Sequence, residues 1–130
     1  MRHQLFCDGA SRSNPGDASI GVSVLLDGEE IHTISKKIGI ATNNEAEYLA
    51  LIAGINLCIE NQISNISIFA DSELVVKQIN GDYKVKNDRM SALHKKTHEL
   101  LSKLNSWEIK HVLRELNVEA DELSKQGLAK

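Results

Sequence analysis

Residues 66–75 read ISIFADSELV. Ile66 and Ile68 recur at period two in an apolar run, the mark of a short buried strand. The run stops on Asp71, and Ser72-Glu73-Leu74-Val75 opens a helical pattern. A strand that hands over directly to a helix belongs to a crossover unit, whose parallel sheet is covered by helices. A carboxylate at the end of such a strand is costly unless something nearby compensates its charge. Capping the helix that follows is the ordinary role for an aspartate there. Any other role needs partners from elsewhere in the chain.

The flanking segments supply the rest of the topology. Upstream, TNNEAEYLALIAGINLCIEN (42–61) is Ala- and Leu-rich, with Thr42 or Asn43 placed to cap, and predicts a mostly buried helix over 43–60. Downstream, SELVVKQING is a short helix stopped by Asn80-Gly81. In NDRMSALHKKTHELLSKLN (87–105), Met90, Leu93, Thr97, Leu100, Leu101 and Leu104 form one stripe, with Lys and His opposite. WEIKHV alternates as a strand, and NVEADELSKQGLAK is a closing helix with Asn117 as its expected cap. At the other end, Gln4 to Cys7 forms a first strand that ends at Asp8-Gly9, before the turn-rich loop GASRSNPGDA. Ile20, Val22 and Val24 alternate in a second strand, Asp27-Gly28 signals a hairpin, and EEIHTISKKI is a third strand. The order is βββαβααβα: an antiparallel meander, then crossovers whose strands lie parallel to the first.

With 130 residues, 42% hydrophobic and 25% charged, the chain is expected to form one domain, 1–130, with a sizeable core. No apolar run approaches the roughly 20 residues of a membrane helix, and MRHQLFCDGA lacks a signal-peptide core. A cytoplasmic protein without a membrane partner is the expectation. Cys7 and Cys58 form no CxxC pair and read as reduced core thiols. A net charge of −3 argues against a sequence-blind nucleic-acid coat, but not against an enzyme whose acids gather at metal ions.

In this topology the C-terminal ends of parallel strands share one edge, where sites form. Asp8 ends the first strand and Asp71 the fourth. If these strands are neighbours, the two carboxylates sit side by side. Glu47 lies one turn into the first helix and Asp121 one turn into the last, and each can project toward the same point. Converging acids repel, and some stay protonated unless cations intervene. Oxygen donors of this kind suit Mg²⁺ or Mn²⁺. Two hard ions about 4 Å apart are a known arrangement for phosphodiester cleavage. Each acid also has a bland reading: a helix cap for Asp71, a turn for Asp8-Gly9, helix-surface acids for Glu47 and Asp121.

Four segments decide between these readings: DGASRSNPG around Asp8, TNNEAEYLAL around Glu47, ADSELVVKQING around Asp71 and NVEADELSK around Asp121. In this order and over nearly the whole chain they resemble ribonuclease H of type 1. The resemblance implies an α/β ribonuclease H-like fold, a five-stranded mixed sheet of order 3-2-1-4-5 flanked by helices. It places the family's metal-binding acids at Asp8, Glu47, Asp71 and Asp121. It implies a metal-dependent endonuclease that cuts the RNA strand of an RNA–DNA hybrid and leaves 5′-phosphate and 3′-hydroxyl ends. Two Mg²⁺ ions, with Mn²⁺ as substitute, are the implied cofactors. Substrate-binding positions fall on Gly9, Ala10, Asn14, Thr42, Asn43, Asn44 and Ser72. Their polar groups suit sugar and phosphate contacts, although Asn14-Pro15-Gly16 would form a turn in any case. A monomer is expected.

The chain departs from many bacterial members. NGDYKVKNDRM is short, so the extra basic helix is absent, as in a compact archaeal-like branch. Lys84, Lys86 and Arg89 are the basic residues left on that side, or simply a solvated loop. The family's catalytic histidine loop is also missing. Arg114, seven residues before Asp121, is favoured over His111 as a catalytic aid at the scissile phosphate. Glu73 stands where some relatives carry glutamine. His94 and His98, at i and i+4, have zinc-like spacing without a third ligand, and read as solvent-facing. Two other functions stay open: a non-catalytic hybrid- or duplex-binding domain, and an enzyme that also cuts double-stranded RNA.

Overall fold

A computed structural model describes residues 2–129. The first half holds β1 (His3–Ser11), β2 (Gly16–Leu26), β3 (Glu29–Ala41) and helix α1 (Asn43–Glu60). The second holds β4 (Asn65–Ala70), α2 (Glu73–Ile79), α3 (Asp88–Leu101), β5 (Ser106–His111) and α4 (Val118–Ala129). A 3-10 turn at Arg114–Leu116 precedes α4. The order βββαβααβα is the one the periodicities predict. The strands form one sheet, β3-β2-β1-β4-β5. β1 pairs antiparallel with β2, and β2 with β3, while β4 runs parallel to both β1 and β5.

Local chemistry sets the turns. Asp27 (φ 54°) and Gly28 (φ 80°) both take left-handed backbone, which matches a two-residue hairpin to the strand twist. Asn80 follows α2, and Gly81 (φ 83°) takes the chain out of it. Thr42 caps α1 by accepting from the Glu45 N–H at 3.1 Å, and the Glu45 carboxylate accepts in return from the Thr42 N–H at 2.8 Å.

One strand boundary differs from expectation. β1 does not end at Asp8 but runs on to Ser11, because its hairpin partner β2 continues to pair with it as far as Ser11↔Ala18. Its parallel partner stops earlier: the last β1/β4 pair is Cys7↔Ala70. Asp8 and Asp71 are therefore the first residues beyond the end of the same ladder.

The core lies between the sheet and α1, where Leu5, Val22, Val24, Ile66 and Ile68 meet Tyr48, Leu51 and Ile55, all at most 1% exposed. Helix α1 also packs against α3, and α4 covers β2, β3 and β1 on the opposite face. Cys7 and Cys58 are buried free thiols in this core. Two glycines let the helices approach. A Cβ on Gly9 would overlap the Ala46 carbonyl of α1, and one on Gly21 the Ala120 carbonyl of α4. Gly21 stands opposite Asp8 in the β1/β2 register.

His94 and His98 do not face solvent. Both are half-buried, and His94 Nε2 lies 3.1 Å from the Gln78 carbonyl at the end of α2. His98 hydrogen-bonds the Ile79 backbone and packs edge-on to Trp107, with ring centroids 6.1 Å apart. Burial, then the neighbouring His94, holds the His98 pKa below the usual imidazole value. The last carbonyls of α2 attract these rings, an effect that hydrophobic periodicity does not register.

Gly9→Ala must push α1 off the sheet, because the overlapping atoms are backbone. It is expected to cost at least about 2 kcal/mol in urea unfolding. Gly28→Ala, which meets nothing within 4 Å, should cost only the roughly 1 kcal/mol of its left-handed backbone.

Candidate metal centre

The β1/β4 seam supplies two of the acids. Asp8 leaves β1 on the α4 side, where its Oδ2 accepts from the Ser124 hydroxyl at 3.1 Å. Asp71 follows β4 directly. It does not cap α2, because Ser72 does, accepting from the Val75 N–H at 3.3 Å. The strand thus ends on a carboxylate the helix does not need. Glu47 comes from α1, through the gap that Gly9 leaves, and accepts from the Gly9 N–H. One carboxylate oxygen each from Asp8, Glu47 and Asp71 lies within 4.8 Å of the others.

Asp121 is not a member of this trio. It stands close enough for its charge to raise the Asp8 pKa, and it pairs with Lys125 at 3.0 Å one helical turn on. The four acids expected to converge thus divide into three that meet and one beside them. An i, i+4 ammonium is the nearest compensation available to a carboxylate near the start of α4.

Two of the three are buried, Asp8 at only 4% and Glu47 at only 7% exposure, while Asp71 is half-buried. Among the described residues no cation pairs with any of its members. Besides the hydrogen bond between Asp8 and Glu47 themselves, their partners are neutral donors: the Gly9 amide, the Ser124 hydroxyl and the Asn117 side-chain amide, which is 3.0 Å from Asp71 Oδ2. Burial, followed by the Asp71 charge, pushes the Asp8 pKa up to about 7. Burial and the Asp8 charge hold Glu47 well above the usual carboxylate range. Three oxygen donors with no internal countercharge fit a hard divalent cation.

The other expected site residues surround this centre unevenly. Asn14 Oδ1 accepts from the Asn43 N–H at 2.9 Å, and Asn43 Oδ1 from the Ser11 N–H at 3.3 Å. This ties the 12–15 loop to the start of α1. Thr42 is engaged in its capping box, and Asn44 is half-buried beside it. Ala10 is half-buried in β1. The Gly9 N–H is committed to Glu47 and does not stand free toward a groove. Arg114 is exposed on the 3-10 turn, near enough for its charge to affect Lys125. His111 is exposed at the end of β5, as expected. Lys84, Lys86, Glu73 and Arg89 are exposed, and Arg89 lies 3.6 Å from Glu45 of the capping box.

Asn117 was expected to cap α4. Its carbonyl does accept from the Asp121 N–H at 3.0 Å, but its side chain turns inward. It donates to the Cys7 carbonyl at 2.9 Å as well as to Asp71, and it is 1% exposed. Asn117, Asp121 and Ser124, spaced by four and three, share a helix face, and that spacing was the available signal.

This sheet order, with acids at the β1/β4 seam, defines a ribonuclease H-like fold. A family model described as reverse transcriptase-like matches residues 6–127. A ribonuclease HI of Halobacterium salinarum is 38% identical over 98% of this chain and 64% of its own, so the chain spans less than two thirds of that relative. The crystal structure of an RNase H1 from that archaeon superposes with a TM-score of 0.97 at 36% identity, covering 99% of this chain and 98% of that one. LC11-RNase H1, crystallised in complex with an RNA/DNA hybrid, matches with a TM-score of 0.91 at 33% identity over 98% of this chain and 96% of its own. The chain belongs to the type 1 ribonuclease H family.

A raised folded-state pKa for an acid means that folding favours its protonated form. That contribution is complete below the unfolded value of about 4 and is lost as pH rises through the folded value. For Asp8 this window runs from its ordinary 3.8 to about 7. In chelator, Asp8→Asn should therefore melt above wild type at pH 8 by several degrees, with a gap that closes toward pH 4. A gap independent of pH would contradict the assignment.

Proposed function

We propose that the chain is a divalent-metal-dependent endonuclease that hydrolyses the RNA strand of RNA–DNA hybrids. The observation that carries this reading is the trio Asp8, Glu47 and Asp71, two of them buried and one half-buried, drawn together to within 4.8 Å and, among the described residues, lacking a cationic partner. LC11-RNase H1, whose structure holds an RNA/DNA hybrid, supports the substrate class.

Asp8, Glu47 and Asp71 would hold Mg²⁺, with Mn²⁺ as substitute, and Asp121 would join on exchanging Lys125 for the cation. When bound, two such ions would supply an activated water and a countercharge for the departing 3′ oxygen, a chemistry that would leave 5′-phosphate and 3′-hydroxyl ends. The remaining residues bind and orient. Asn14, Thr42, Asn43 and Asn44 present a polar rim where β1 meets α1, suited to sugar and phosphate groups. Gly9, Ala10 and Ser72 lie within two residues of Asp8 or Asp71 and would border a hybrid read through shape and 2′-hydroxyls rather than base sequence. Arg114 stands exposed before α4, where its guanidinium can steady a phosphate. We read residues 1–130 as one monomeric catalytic domain acting in the cytoplasm. Among the described residues no helix is long and apolar enough to cross a membrane.

A non-catalytic binding domain is the alternative, and double-stranded RNA is a second candidate substrate. All four family acids are present, which favours catalysis. A gel comparing labelled hybrid, double-stranded RNA and DNA duplex in Mg²⁺ and in Mn²⁺ separates these cases. Wild type is expected to cut the RNA of the hybrid, and Asp71→Asn to cut nothing. Binding without turnover in either metal would sink the enzyme reading.

Arg114→Ala should lower kcat by roughly 10- to 100-fold with little change in KM, the pattern of a contact made at the reacting phosphate. An unchanged kcat would return the role to His111 or to neither residue.

A further inference from the structure

Helix α4 does more than deliver Asp121. Asn117 immediately precedes it and Ser124 lies one turn beyond the acid, on the same face. Both side chains are buried, at 1% and 0% exposure, and both reach the carboxylate trio. Asn117 uses its two amide hydrogens on two different strands: one goes to the Cys7 carbonyl of β1, the other to Asp71 Oδ2 beyond β4. It therefore ties together the end of the β1/β4 ladder. The Ser124 hydroxyl lies 3.1 Å from Asp8 Oδ2 and 3.0 Å from the Asp121 carbonyl, so its single proton is shared between a cluster acid and the turn bearing the fourth acid. Ser124 is itself fixed, because its carbonyl accepts from the Ser19 hydroxyl of β2.

The helix can sit this close because Gly21, opposite Asp8 in the register, has no side chain to meet the Ala120 carbonyl. Stability alone accounts poorly for Asn117. Its Oδ1 is buried and, among the described residues, without a hydrogen-bond partner. Such an orphan acceptor disfavours folding. Retaining it is understandable if the two donors are needed where they point.

We propose that Asn117 and Ser124 are positioning residues that fix the planes of the Asp71 and Asp8 carboxylates, so that α4 sets the cation affinity of the whole centre. The inference rests on the metal-dependent reading above. Neutral donors suit this role. Each restrains one oxygen of a carboxylate without cancelling the negative charge that a cation requires, as a lysine or arginine would. Hydrogen-bond partners of this kind typically change metal affinity by about 10- to 100-fold when removed.

The test is calorimetric titration of the full chain with Mn²⁺ and no nucleic acid, beside cleavage of a labelled hybrid across a metal series. Asn117→Ala and Ser124→Ala should each weaken Mn²⁺ binding by roughly 10-fold or more. The metal concentration for half-maximal cleavage should rise to match, and KM for the hybrid should stay unchanged. In an Asp71→Asn background, Asn117→Ala should cause little further loss of affinity, since the carboxylate it orients is gone. Melting in chelator separates positioning from scaffolding, because Ser124→Ala is expected to melt near wild type while binding metal less well. Should Asn117→Ala fail to fold, the Ser124 variant decides alone. If wild type binds Mn²⁺ and cuts hybrid while both variants bind as it does, the proposal about α4 falls and the nuclease reading stands. If wild type neither binds the ion nor cuts, both fall.

Discussion

The structure turns on a parallel ladder that stops one residue too soon. β1 and β4 pair as far as Cys7↔Ala70, and the next residue on each strand is an aspartate. Parallel register thus forces two carboxylates into adjacency at the rim of a buried sheet, where their repulsion is poorly screened. Most of what surrounds them answers that conflict. Ser72 takes over the capping of α2, and Gly9 makes room for Glu47 instead of a cation. α4 brings neutral hydrogen-bond donors. The outcome is a cluster of carboxyl groups that neutral donors restrain and that, among the described residues, no basic side chain pairs with.

The acids differ in how their surroundings accommodate them. Glu47 is almost wholly enclosed, with the Gly9 amide and the Asp8 carboxyl group as hydrogen-bond partners, and burial dominates its titration. Asp8 is enclosed as well but has a hydroxyl donor and lies between two other acids. Asp121, nearer the surface, has a lysine of its own. The set thus runs from acids with neutral hydrogen-bond partners to one with a lysine beside it.

Much of this was legible in the chain. Period-two apolar runs gave the strands, Asp27-Gly28 and Asn80-Gly81 marked real turns, and the 43–60 helix has the bounds its composition implied. The four acid-bearing segments pointed to a shared centre through their resemblance to a family, and the structure brings Asp8, Glu47 and Asp71 together while Asp121 pairs with Lys125. What stayed hidden depended on pairing between distant segments. The end of β1 is set by two partners of different length, which no window on residues 3–11 contains. Asn117 has the composition of a cap, and only the nearness of Cys7 and Asp71 turns its amide inward. Likewise the histidines of α3 look polar and outward until the end of α2 is known to lie beneath them. The Lys125 pairing of Asp121 needed only helical spacing, but the choice between lysine and cluster is a contest of charges that spacing does not settle.

The contact of Gly9 with α1 has a mechanical consequence. Main chain rests on main chain at that point, with the Ala46 carbonyl against the glycine and Glu47 the very next residue. The separation of Glu47 from Asp8 is then governed by two backbones in abutment, not by the swing of long side chains. Main-chain abutment of this kind yields little, so drawing the Glu47 backbone away from Asp8 would mean lifting α1 off the sheet.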